Sequence, residues 1–141
     1  MHRQRLTDQD MKFIAEELKT NKTCQSINLS FNEITVDGVK YLADLVIVNK
    51  TLRYFWLAFN RIGDKGAIML CSIFKNHDTL YSLDLSSNEI TDQSMNVILE
   101  MMKATSTLKL FFIDTNKISD QNKERLRKVA KEQNIDIGNL S

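Results

Sequence analysis

The sequence predicts an α/β solenoid that repeats every 28 residues, curved, with parallel strands on the concave face and helices on the convex face. Three observations carry this. Asparagines recur at Asn32, Asn60, Asn88 and Asn116, a spacing of 28 residues three times over. Each closes the same pattern, apolar-x-x-apolar-x-apolar-x-x-Asn-x-Ile. The copies are Cys24-Ile27-Leu29-Asn32-Ile34, Leu52-Phe55-Leu57-Asn60-Ile62, Leu80-Leu83-Leu85-Asn88-Ile90 and Leu108-Phe111-Ile113-Asn116-Ile118. Apolar residues at helical spacing then follow each of the first three copies. No insertion or deletion breaks the register.

The helices come first in chain order. Thr7, Thr35, Gly63, Thr91 and Ser119 fall one period apart and suit N-caps. Asp8, Asp64, Asp92 and Asp120 come next, placing carboxylates where the helix dipole favours them. Buried stripes follow as Met11-Ile14-Ala15-Leu18, Val39-Leu42-Ala43-Val46, Ala67-Leu70-Cys71-Phe74 and Met95-Ile98-Leu99-Met102. Strands are expected near 26–30, 54–58, 82–86 and 110–114, with a short closing strand around Ile135 to Ile137. Parallel strands stack ~4.8 Å apart and helices about 8–10 Å apart, so the stack must curve. The four asparagines are expected to satisfy turn backbone groups, a structural role.

The whole chain, 1–141, reads as one domain. An N-terminal cap helix is expected at about 7–20, with Gln4 and Leu6 at the Asn and Ile positions of a half repeat. Repeats follow at about 24–51, 52–79 and 80–107, then a C-terminal capping repeat at about 108–138. There Lys123 and Arg127 replace apolar members of the helix stripe, as a solenoid terminus requires.

Composition excludes several functions. The 141 residues carry a net charge of +1 with acids and bases intermixed, so nothing points to nucleic acid or an anionic membrane. The start, Met1-His2-Arg3-Gln4-Arg5, is no Sec-type signal peptide, and the longest apolar run, Leu45 to Val48, is far too short to span a bilayer. Cys24 and Cys71 occupy apolar columns and read as reduced, buried small hydrophobes of a cytoplasmic protein. His77 reads as a turn residue in the Asn49 column, and His2 lies near the terminus. With no Cys at metal-ligand spacing and no phosphate loop, neither metal nor cofactor is expected.

Function is sought where the repeat varies. Strand alternation turns three columns out onto the concave sheet. They read Ser26, Tyr54, Ser82, Leu110, then Asn28, Trp56, Asp84, Phe112, then Ser30, Ala58, Ser86, Asp114. Packing does not require Tyr54, Trp56, Leu110 and Phe112 to stand there. With Arg53, Lys109, Asp84, Asp114 and Asn28 around them, they have the make-up of a protein-binding patch. Phe31 and Phe59, just before ladder asparagines, are expected to stack between repeats. Asp84 and Asp114 are read as polar contacts for a partner, not as an acid–base pair.

This pattern resembles the ribonuclease-inhibitor-like class of leucine-rich repeats from Leu6 to Ile137, on its 28-residue period and helical outer segment, as in Thr35-Val36-Asp37-Gly38-Val39-Lys40-Tyr41-Leu42-Ala43. The class implies a concave face that recognises protein partners, as in ribonuclease inhibitor, innate-immune receptors and the GTPase activator of Ran. In size and composition the chain is also similar to small leucine-rich-repeat effectors of intracellular bacteria, which reach the host cytosol without a Sec signal. The expected function is non-enzymatic recognition by a monomer in a one-to-one complex, with a partner enzyme occluded. The alternative is a GTPase activator of the Ran-activator type, for which Arg61, beside Asn60, is the candidate residue.

Overall fold

The computed structural model describes residues 5–141; Gln4 and His2 lie outside them. Helix α1 (Asp8–Lys19) leads into strand β1 (Ser26–Asn28), α2 (Val36–Val48), β2 (Tyr54–Trp56), α3 (Gly63–Phe74) and β3 (Ser82–Asp84). A 3-10 turn (Asp92–Ser94) precedes α4 (Met95–Ala104), then β4 (Leu110–Phe112) and α5 (Asp120–Gln133). The four strands form one parallel sheet in chain order. Ser26, Tyr54, Ser82 and Leu110 stand in register, as do Asn28, Trp56, Asp84 and Phe112. The spatial repeat therefore equals the sequence period.

Each strand is three residues long where five were expected, although bonds such as Leu29 N–H to the Trp56 carbonyl and Phe31 N–H to the Ala58 carbonyl carry the backbone pairing on into the ladder turn. The closing strand reduces to one bridge, Leu110 to Asp136. Between sheet and helices runs a continuous core including Phe55, Phe74, Phe111, Leu42, Leu70 and Leu83, each at most 1% exposed.

The asparagine ladder is built as expected. Asn88, wholly buried, donates from Nδ2 to the carbonyls of Leu57, Leu85 and Ser86 at 2.8, 3.2 and 3.0 Å. Its Oδ1 accepts the Ile62 amide. Asn60 repeats this with Leu29, Leu57 and Ile34. Residues just before the ladder, Phe31, Phe59, Ser87 and Thr115, all take positive φ of 52 to 61°. A non-glycine residue there costs about 1 kcal/mol or more, offset by the bonds the asparagine makes with the turn.

The capping series differs from expectation in three places. Gly63 is not a cap: it is the first residue of α3, with a φ of +61° that glycine takes without the steric cost a side chain brings. Thr91 caps the 3-10 turn, so α4 starts later, at Met95. The aspartates also act between repeats. Asp8 accepts the amide and hydroxyl of Thr35, and Asp92 accepts the Ser119 amide.

The two ends are closed unequally. At the C-terminal end Arg127 donates to the Leu140 carbonyl at 2.6 Å, tying buried Leu140 and Ile135 over the last repeat. Lys123 lies against Asp120. At the N-terminal end α1 covers less than a cap should. Phe13 is 66% exposed beside an apolar hollow of about 410 Å³ bounded by Ile14, Leu18, Ile27 and Leu29.

Candidate protein-binding surface

Side chains leave a strand alternately on its two faces, so residues two apart share the concave face. Large outward side chains lean over small neighbours on adjacent strands. Ala58, Ser82 and Ser86 point outward yet are at most 7% exposed. Tyr54, Trp56, Asp84, Leu110, Phe112 and Asp114 are half-buried and do not stand freely in water as the sequence suggested. Asn28 and Arg53 are exposed, and Lys109 is half-buried.

Trp56 is held in place. Its indole Nε1 donates to Ser82 Oγ on the next strand at 3.0 Å. Its ring lies 5.9 Å from that of Tyr54, and Tyr54 lies 5.7 Å from Tyr81. The Arg53 guanidinium sits 5.8 Å from the Tyr81 ring centroid, within cation–π reach. These three aromatics form a preordered cluster in the middle of the sheet. Tyr81 was missed by sequence reasoning because it precedes β3. The signal was present in its column, where Arg53 and Lys109 had already been chosen.

The two carboxylates are engaged within the fold. Asp84 accepts the Ser86 amide at 2.9 Å, and Asp114 accepts the Ser86 hydroxyl at 2.6 Å. That fixes them as oriented acceptors at the far ends of the strands. Asn28 likewise accepts the Ser30 amide. Phe112 is partly covered, because the turn at Gly138 approaches so closely that an added Cβ would stand 3.1 Å from its ring. The anchor surface therefore centres on β2 and β3.

The leucine-rich-repeat family model matches residues 20–43, 48–71 and 77–98. The chain is built of leucine-rich repeats. No curated protein matches the sequence. Among solved structures, the leucine-rich-repeat fold here is similar to one titled Leiomodin-1 Actin-Binding Site 2, with TM-score 0.73 and 22% identity, covering 84% of this chain and 70% of that one. At that identity the likeness concerns the fold.

Elsewhere on the leucine-rich-repeat solenoid, Phe31 and Phe59 stack as expected, 4.4 Å apart and within 10° of parallel, yet each stays at least half exposed. They border a hollow of about 480 Å³ at the loop edge, together with exposed Arg61 and Glu89 and half-buried Glu33. His77 is buried in the helix-to-strand turn, with Nε2 donating to the Asn49 carbonyl at 3.1 Å. Burial holds its pKa below the usual histidine value despite that carbonyl. Cys71 is fully buried, and burial pushes its thiol up to about 12. Cys24 departs from expectation: it is half-buried, heading the first repeat where no earlier strand covers it. Among the described residues no His/Cys/Asp/Glu group could hold a metal, and no helix is long and apolar enough to cross a membrane.

Proposed function

We propose that this chain is a non-enzymatic recognition module that grips one protein partner on its concave face. The observation that carries the reading is the Trp56–Tyr54–Tyr81 cluster, half-exposed and internally braced on a sheet whose other outward residues are mostly small. Braced aromatics lose little entropy on binding, which is what a hot spot needs. Support also comes from the leucine-rich-repeat scaffold, whose solved relative is titled an actin-binding site.

In its finer form the module is a cytoplasmic monomer that binds one-to-one and covers the active site of an enzyme, as ribonuclease inhibitor does. An effector antagonist delivered into a host cytosol is a concrete version of that reading. The second reading, a GTPase activator, is favoured only by Arg61, exposed beside a ladder asparagine at the loop edge. Affinity capture with this chain as bait, followed by an activity assay of the captured partner with and without the chain, tests the inhibitory form. Stimulated GTP hydrolysis lost in Arg61→Ala would replace it with the activator.

A further inference from the structure

The strand-entry edge of the sheet holds a second feature beside the aromatic cluster. Lys22, Lys50, Arg53 and Lys109 converge on a cleft of about 480 Å³ whose wall contains a single carboxylate, Asp78. None of the four cations takes part in an ion pair among the described residues. In a chain of net charge +1 this is a local concentration of positive potential. The cleft wall also contains Thr107, whose Oγ1 is buried without a hydrogen-bond partner; the equivalent hydroxyls of Thr51 and Thr79 donate to the carbonyls of Cys24 and Leu52.

We propose that the partner presents an acidic peptide segment that seats its carboxylates in this cleft and an apolar side chain on Trp56. The proposal rests on the concave-face reading and names the chemistry of its partner. Arg53 links the two parts: it borders the cleft, its guanidinium is steadied over Tyr81, and it immediately precedes the strand that carries Tyr54 and Trp56. Guanidinium presents a planar fork that matches a carboxylate. At ~3.3 Å per residue, Arg53 and Trp56 lie about 10 Å apart along the strand, the span of three residues of extended peptide. Asp84, in register with Trp56, and Asp114, two residues past Phe112, repel a chain that stays acidic along its whole length. That favours a peptide with a local acidic stretch over a nucleic acid, which carries negative charge throughout.

The test is selection from a random-peptide display library on the folded wild-type chain, on Trp56→Ala and on the double variant Arg53→Glu with Lys109→Glu, each checked to be folded by a cooperative melting transition above the selection temperature. Wild type should enrich acidic peptides that also contain an apolar residue. A synthetic copy of the leading peptide should bind the charge-reversed variant about tenfold more weakly or worse, and should weaken as salt is raised. Peptides no more acidic than the starting library, or equal binding after charge reversal, overturn the proposal. So does a single-stranded oligonucleotide that displaces the peptide and binds more tightly. Trp56-dependent selection with no acidic bias removes the cleft and leaves the concave-face reading intact. An acidic bias indifferent to Trp56→Ala removes the concave-face reading and keeps the cleft alone.

Discussion

Asp64 accepts both the backbone amide and the hydroxyl of Thr91, one repeat further along the chain, at 2.9 and 2.7 Å. The Ser94 hydroxyl binds the same carboxylate. Asp8 with Thr35 and Asp92 with Ser119 repeat the contact. Between the second and third helices the carboxylate and the hydroxyl are absent together, Val36 standing for the aspartate and Gly63 for the threonine, and the Gly63 amide donates to the Asn88 carbonyl instead at 3.0 Å. Loss of donor and acceptor at one step leaves neither stranded, which is the less costly way to omit such a bond.

Asp64→Ala should therefore destabilise the fold by about 1–3 kcal/mol, since it strands the hydroxyl of wholly buried Ser94 as well as the Thr91 groups. Burial alone would raise the Asp64 pKa, but the Ser94 hydroxyl and the Thr91 amide and hydroxyl outweigh it and leave it lowered. A lowered folded pKa gives stability that is present above about 3.9, the unfolded value, and lost as pH falls through the folded one. Chemical denaturation at neutral pH and below pH 4 should show Asp64→Asn losing less stability over that acid window than wild type.

The buried ladder makes a sharper demand. Asn88→Leu removes the partner of three carbonyls and one amide in the interior, at about 1–3 kcal/mol for each group left unpaired. Exposed Lys65→Ala is the neutral control. Equal melting temperatures for Asn88→Leu and wild type would rule out the ladder.

The two thiols should separate in a labelling experiment. Cys71, fully buried and with its thiol raised to about 12, should react only on unfolding. Half-buried Cys24 should react first in the native state. The reverse order under a neutral-pH thiol reagent would contradict the packing of the first repeat against α1.

His77 sets a milder pH dependence. Its folded pKa is lowered, chiefly by burial, so the unfolded chain takes up the proton first. Stability is then full above about 6.5 and falls as pH drops from there through the folded value. His77→Gln should flatten the stability profile between neutral and mildly acidic pH; an unchanged slope would assign it to another group.

The period, helix stripes and asparagine ladder were legible in the sequence because they depend on spacing, and spacing is conserved wherever one repeat stacks on the next. Residues that act through space were harder to see. Asp64 was read as a partner of its own helix dipole because Thr91 is a whole repeat away in sequence. Tyr81 sits outside the strand proper, and the shielding of Phe112 comes from a turn at Gly138 that no period predicts. Cys24 fits the apolar column, yet being first in the stack leaves it half covered.

The central claim is that the concave sheet binds a protein through Trp56, and one comparison tests it most directly. Once a partner has been captured, its affinity for Trp56→Ala is measured beside the melting temperature of the same variant, with convex-face Lys40→Ala as control. The account predicts a loss of about 2 kcal/mol or more of binding energy, a smaller change in stability set by the Trp56–Ser82 bond and the contact with the Tyr54 ring, and an unaffected control. Normal binding by Trp56→Ala together with failure of the convex variant would contradict the account and move the site to the helices.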